Sequence, residues 1–374
     1  MESQGEQAIA AIGLMSGTSM DGIDVAGVIT DGEDFAERGP SHFAPYDAEF
    51  VQRLTAALEI AKSIKTRSER PGDLANLERE LTLRHADAVR DFLAGPGRDW
   101  AKPEVIGFHG QTVLHRPLAG LTVQLGDGAL LGSKTGIAVV HDMRANDMVH
   151  GGQGAPLVPA WHAALVKPLG PAKFPVAVVN IGGIANVTYV PQHGAPIAFD
   201  CGPGNALIDQ FVAMKSGMAY DSGGAIGLNG HADDAVFARY LEQPFFAKSG
   251  PKSLDRNDFT LDLARGLTLA DGARTLAAVT ARAILLSADA MPAPPATWII
   301  SGGGRKNAAI MAELRAGAGK ADVQDSDALG FDGDAMEAEA WAYLAVRSLK
   351  GLPLTWPGTT GCREAVTGGV LSRQ

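Results

Sequence analysis

Two periodicities alternate along the chain. Residues 8–15 and 23–29 are short apolar runs separated by Ser-Gly-Thr-Ser and Asp-Gly, a pattern that predicts a β-hairpin with a polar, glycine-bearing loop. Residues 47–62 and 74–93 carry apolar side chains at helical spacing and predict two amphipathic helices. Residues 105–108 and 137–140 read as buried strands, each running into a polar cluster: His109-Gly-Gln-Thr after the first, His141-Asp-Met-Arg after the second. A second strand series follows at 176–181, 187–190 and 196–199, then a helix over 205–215. Helices are predicted over 233–241, 269–289 and 335–348, around a last strand at 297–300 that meets a run of three glycines. Residues 243–257 are the longest stretch without clear periodicity, a candidate flap.

A hairpin with a Gly-rich turn opens each half of the chain. The recurrence predicts two similar α/β lobes closing on a cleft, the first built from residues 1–140 and 345–374 and the second from 141–344. The length of 374 residues suits two domains, and 46% hydrophobic with 20% charged residues excludes a disordered or fibrous chain. The net charge of −10 argues against a nucleic-acid partner. Cys201 and Cys362 alone supply neither a disulfide framework nor a multi-cysteine metal site, which fits a reducing, cytoplasmic compartment. Residues 1–7 are polar and acidic, unlike an export signal, and no apolar run approaches the ~20 residues needed to span a bilayer.

Five groups of residues carry candidate chemistry. Residues 13–24 read Gly-Leu-Met-Ser-Gly-Thr-Ser-Met-Asp-Gly-Ile-Asp, where small residues at a strand end offer backbone N–H groups and hydroxyls to a phosphate. Residues 180–188, Asn-Ile-Gly-Gly-Ile-Ala-Asn-Val-Thr, repeat the design, and two such loops would clamp a triphosphate. Ser301-Gly-Gly-Gly-Arg-Lys-Asn lies between a strand and a helix, with room for an adenine ring and a helix amino terminus for phosphate oxygens. Asp200, in Phe-Asp-Cys-Gly-Pro-Gly-Asn, is a carboxylate suited to a positioned general base, or else an ordinary turn residue. His109, Gln111, Asp142, Arg144 and the His-Gly-Gly-Gln-Gly-Ala-Pro run at 150–156 form a polar set suited to sugar hydroxyls, the arginine able to grip a carboxylate with two prongs. Neither a dinucleotide fingerprint nor a Walker loop is complete. The Asp-Ser-Gly-Gly fragment at 221–224 and the nine histidines lack partners for protease or zinc chemistry.

At these residues the chain resembles the anhydro-N-acetylmuramic acid kinases, a branch of the sugar kinase, actin and chaperone ATPase superfamily. The resemblance runs through 13–24, 109–112, 142–144, 151–159, 180–186, 200–205, 301–307 and 337–344. It implies two actin-like, ribonuclease H-like lobes around a nucleotide and sugar cleft. The implied activity is hydrolytic opening of the internal 1,6-anhydro ether with phosphorylation of the freed oxygen, as part of peptidoglycan recycling. It further implies ATP and Mg²⁺, a homodimer, and no membrane or nucleic-acid partner.

By the same resemblance the catalytic carboxylates are Asp200, the base, and Glu337. The phosphates fall to Gly17, Thr18, Ser19, Met20, Asp21, Gly22, Ile23 and Asp24 together with Asn180, Gly182 and Gly183. The adenosine falls to Gly302, Gly303, Gly304 and Arg305. His109, Gln111, Asp142, Arg144, Asn186, Gly204 and Asn205 lie on the sugar side, with Arg144 on the lactyl carboxylate. Asp21 is the first choice as metal ligand, because Met15 stands where many relatives of the wider superfamily carry an acid. Around Arg256 the chain reads Pro-Lys-Ser-Leu-Asp-Arg where the family has Ser followed by Thr-Gly-Arg. An ordinary sugar kinase, in which Asp200 deprotonates an existing hydroxyl, and a nucleotide-dependent sugar sensor are the alternatives.

Overall fold

The computed structural model describes residues 8–17, 19–248, 252–254, 258–331, 333 and 335–373. Thr18, Arg256 and the first seven residues lie outside them. The chain folds as two compact units, Met1–Lys167 with Ala335–Gln374, and Pro168–Asp334. This division differs from breaks at 140/141 and 344/345. Helix Met336–Leu349 lies as one piece on the first sheet, and helix Pro159–Val166 packs against it, so both belong to the first unit.

Among the described residues there are twelve strands: β1 Ile9–Ser16, β2 Gly22–Thr30, β3 Ala36–Pro45, β4 Val105–Arg116, β5 Leu121–Leu125, β6 Ala138–His141, β7 Val176–Ile181, β8 Ile184–Val190, β9 Ile197–Pro203, β10 Thr297–Ser301, β11 Asp322–Asp325 and β12 Val370–Ser372. The first sheet runs β12-β6-β4-β1-β2-β3, with β5 on the far half of β4, and the second runs β11-β10-β7-β8-β9. In each, three strands form an antiparallel meander whose first strand continues into two parallel neighbours. The chain is therefore an α/β protein of two similar sheets with one shared strand order, as the recurrent hairpins predict.

The first sheet carries its long helix on a saddle of two glycines. Gly13 of β1 and Gly107 of β4 are direct neighbours across the sheet. A Cβ on Gly13 would stand 1.7 Å from the carbonyl oxygen of Ala338, and one on Gly107 would stand 1.9 Å from that of Trp341. Side-chain-free strand surface lets helix Met336–Leu349 rest its backbone directly on the sheet. Gly13 thus serves packing, although it heads the phosphate-like motif. In the second unit, helix Leu269–Leu286 buries Leu276, Val279 and Ile284 in a core with Val187, Phe199 and Phe211.

β4 does not stop at residue 108 but continues through the His-Gly-Gln-Thr cluster. Gly110, at φ +70°, makes this possible, because a Cβ there would stand 2.2 Å from the carbonyl oxygen of Leu125. Residues 109–112 therefore stand within a kinked strand. Within 243–257, Pro244–Ala247 is a helical turn anchored by buried Phe245, which packs edge-on against Phe246 and Phe259.

Candidate active site

The turn after β1 is held by a chain of buried hydroxyl and amide groups. Ser16 Oγ donates to Gln111 Oε1 at 2.6 Å, so the 2.9 Å contact with Tyr46 is a bond donated by the tyrosine hydroxyl. Gln111 Nε2 donates to the carbonyl of Gly17 at 3.1 Å. Gln111, expected at the sugar, thus has both ends of its amide engaged in fixing the loop. Met20 takes a left-handed φ of 53°, and Ser19 Oγ donates to Asp21 Oδ1 at 2.7 Å. Gly22, Ile23 and Asp24 open β2, with Gly22 and Ile23 buried and Asp24 half-buried. Among the described residues of this turn, Ser19 and Asp21 are exposed and Gly17 and Met20 are half-buried. Met15 Sδ accepts a hydrogen bond from Trp341 Nε1 at 3.2 Å.

A second cluster of the first unit joins four predicted residues. Arg144 Nη2 lies 3.1 Å from His109 Nε2, and since arginine only donates, the histidine accepts there and is neutral with its proton on Nδ1. Burial and the arginine beside it hold the His109 pKa well below its ordinary value. The His109 ring stacks on Trp341 at 4.6 Å, and the Arg144 guanidinium lies 5.2 Å from that indole. Burial lowers the Arg144 pKa to about 10, opposed by Glu337 and Asp147, so it stays cationic at neutral pH. Its Nε is buried with no hydrogen-bond partner among the described residues, a donor left for a ligand. Glu337, on the first turn of its helix, has its pKa raised by desolvation, with Arg144 pulling the other way. Asp142, at φ 55°, pairs with Arg67 in the wall of a pocket of about 300 Å³. His109, Gln124 and His141 line the same pocket.

In the second unit the strand register gathers the predicted groups. Asn180, Asn186 and Asp200 are cross-strand partners on β7, β8 and β9, so their side chains project in one row from one face of the sheet. Ser301 of β10 extends the row. Asp200 stands within β9, and two contacts from residues of the 243–257 stretch aim it: its N–H donates to the carbonyl of Lys252 and its Oδ2 accepts from Leu254 N–H, both at 2.8 Å. Desolvation raises its pKa, and the Leu254 bond only partly offsets this.

Three loops meet beside that row. Asn205 N–H donates to Gly182 O at 2.7 Å, Gly204 N–H to Gly183 O at 3.0 Å, and Asn205 Nδ2 to Ile181 O at 3.2 Å. A Cβ on Gly204 would stand 2.3 Å from Gly182 O, and one on Gly302 would stand 2.2 Å from Asn180 Oδ1. Gly303 faces the Asn205 amide, and Gly304 packs on Ile181. The Arg305 guanidinium is buried, donating to Asp327 at 3.0 Å and to Gly302 O at 2.9 Å, which leaves the loop's backbone as its outward surface. The amino terminus of the following helix is capped by Asn307 Oδ1, bonded to the N–H groups of Ala309 and Ile310. It is not the open phosphate site that the sequence suggests.

The second unit thus offers backbone loops at glycine pairs beside a row of amides that ends in a desolvated carboxylate, and the first an arginine stacked on tryptophan, groups suited to phosphate and carboxylate ligands. Residues 9–374 match the family model for anhydro-N-acetylmuramic acid kinase. The chain is 58% identical over 362 residues to the anhydro-N-acetylmuramic acid kinase of Rhizobium etli and 60% identical over 367 residues to that of Brucella canis. The Agrobacterium fabrum kinase of the same name is 57% identical over 367 residues. Each alignment covers 97% of this chain and 98% of the relative. The chain belongs to the anhydro-N-acetylmuramic acid kinase family, and it is a phosphotransferase. Among the described residues, no helix is long and apolar enough to cross a membrane.

Proposed function

We propose that this chain opens 1,6-anhydro-N-acetylmuramic acid with water and phosphorylates O6, using ATP, to give N-acetylmuramic acid 6-phosphate and ADP. The observation that carries this reading is Asp200, a half-buried carboxylate aimed by Leu254 N–H, raised in pKa and set in a row with Asn180 and Asn186. Such a group is suited to accept a proton. In the proposed reaction Asp200 takes a proton from water as the water oxygen bonds to C1. The C1–O6 bond breaks, O6 bonds to the γ-phosphorus, and the bond from that phosphorus to the ADP oxygen breaks. One carboxylate thereby starts both bond changes, and the two acceptor atoms need only be aligned.

The polar row and the glycine loops support the remaining roles. Gly17, Ser19 and Gly22 in one unit, and Asn180 and Gly183 in the other, offer N–H, hydroxyl and amide groups suited to phosphate oxygens, while the N–H groups of Met20 and Gly182 bond within their own loops, to Gly17 O and Ile184 O, each at 3.2 Å. The backbone of Gly302–Gly304 suits a flat base, since side chains are absent there. Arg144, stacked on Trp341 with a spare Nε–H, suits the lactyl carboxylate. Mg²⁺ keeps most of its waters and takes one or two carboxylates, which fits exposed Asp21, whose Oδ1 alone is used by Ser19. There the ion would offset charge on the phosphates.

The test is ADP formation with purified protein, ATP and Mg²⁺. ADP should appear with the anhydro sugar and stay at background without it; sugar-independent ADP would contradict the reading. The raised carboxyl pKa values set the acid side of the pH profile. Asp200 works as a base only when ionised, so kcat falls as pH drops through a pKa above the ~3.9 of an ordinary aspartate. An acid limb at or below that value would contradict Asp200 as the base.

A further inference from the structure

The segment after Arg144 is tied down by one buried carboxylate that the reaction above does not use. Asp147 is 1% exposed. Its Oδ1 accepts hydrogen bonds from the hydroxyls of Thr355 and Thr360, each at 2.6 Å, and its Oδ2 accepts from Gly154 N–H at 2.6 Å. Its own carbonyl accepts from Gly152 N–H at 2.9 Å, and a Cβ on Gly152 would stand 2.2 Å from Asp147 Oδ2. The Gly154 peptide is therefore held at both ends: its N–H by Asp147, its carbonyl by Arg144 Nη1 at 2.8 Å. Beyond Arg144 the chain of contacts continues to His109 and Trp341. The two hydroxyls come from residues 208 and 213 positions away, so the carboxyl-terminal segment fixes the geometry of this arginine.

Two-pronged recognition of a carboxylate needs the guanidinium plane fixed, and a fully bonded buried carboxylate is a stiff support for it. We propose that Asp147 is a positioning residue for sugar selection: without touching the sugar, it sets through Gly154 the plane in which Arg144 meets the substrate's carboxylate. This rests on the reading of Arg144 given above. It makes Thr355 and Thr360 outer members of the specificity site.

The experiment compares 1,6-anhydro-N-acetylmuramic acid with 1,6-anhydro-N-acetylglucosamine, which lacks the lactyl carboxylate. The readouts are KM for each substrate and the ratio of kcat/KM between the two sugars. Asp147→Ala should raise KM for the acidic sugar about 10- to 100-fold and leave KM for ATP within about twofold, because only the arginine is misplaced. The ratio between sugars should fall towards that of Arg144→Ala, and the double variant should match Arg144→Ala alone. Asp147→Asn should recover most of the loss, since its amide oxygen can accept from Gly154 while its NH₂ group donates to hydroxyls that rotate to accept. If Asp147→Ala does not fold, Thr360→Val removes one donor at constant shape and should raise the same KM about threefold. Arg144→Ala collapsing the ratio while Asp147→Ala and Thr360→Val leave it intact would overturn the proposal. An unchanged ratio in Arg144→Ala would instead overturn the carboxylate role of Arg144, and the positioning role with it.

Discussion

Asp200→Asn is expected to lower kcat by about 10²- to 10⁴-fold, the usual contribution of a positioned general base, while ATP affinity changes by less than about twofold. The amide keeps the shape and can still accept from Leu254 N–H, so the aim of the side chain survives. What is lost is the capacity to take a proton. Because the wild-type carboxyl is desolvated and raised in pKa, the substitution also removes a buried charge, and the variant should be no less stable than wild type. Turnover within tenfold of wild type would remove Asp200 from the role of base. Lost ATP binding would move the residue into the phosphate loops.

Gly107→Ala is expected to be, with Gly13→Ala, among the most damaging single-methyl changes in the first unit. The new Cβ would stand 1.9 Å from the carbonyl oxygen of Trp341 and 2.5 Å from its carbonyl carbon, both backbone atoms that no side-chain rotation can clear. Helix Met336–Leu349 must lift from the sheet, at a cost of about 3 kcal/mol or more. The helix carries Glu337 and Trp341, and the latter supports His109 and Arg144, so turnover should fall along with stability. Thermal unfolding and a steady-state assay on the same preparation check this. An unchanged melting temperature would show that the helix does not rest on the strand.

The elements legible in the sequence are helices buried along one face and near-continuous apolar strands whose ends are marked. Strands β1, β2 and β7 are buried runs broken by glycine and polar residues, and Asp47 caps the first helix through Phe50 N–H. β3 escapes because it lies on the edge of its sheet with charged and exposed positions, Glu37, Arg38 and Phe43 among them, and so shows no apolar alternation. Helix Pro159–Val166 escapes for the opposite reason, being buried on nearly every side and therefore without a polar face.

Much the same division runs through the candidate site. Asn180, Asn186 and Asp200 are visible as polar residues in apolar strands, and strand register alone brings them into a row. Leu254 and Lys252 act through the main chain, which leaves no mark in side-chain chemistry. The links from Thr355 and Thr360 to Asp147 join segments more than 200 residues apart, beyond any local pattern. Gly13 and Gly107 are legible as glycines, but the helix backbone that requires them appears only in the fold.

The most direct test of the coupled reaction is mass spectrometry of the sugar product formed from ATP, Mg²⁺ and 1,6-anhydro-N-acetylmuramic acid in water enriched in oxygen-18. The account predicts a product that has gained one phosphoryl group and one water, with the label on the anomeric carbon and not in the phosphate. A phosphorylated sugar that still holds its anhydro bridge, without labelled oxygen, would contradict it and leave an ordinary hydroxyl kinase in its place.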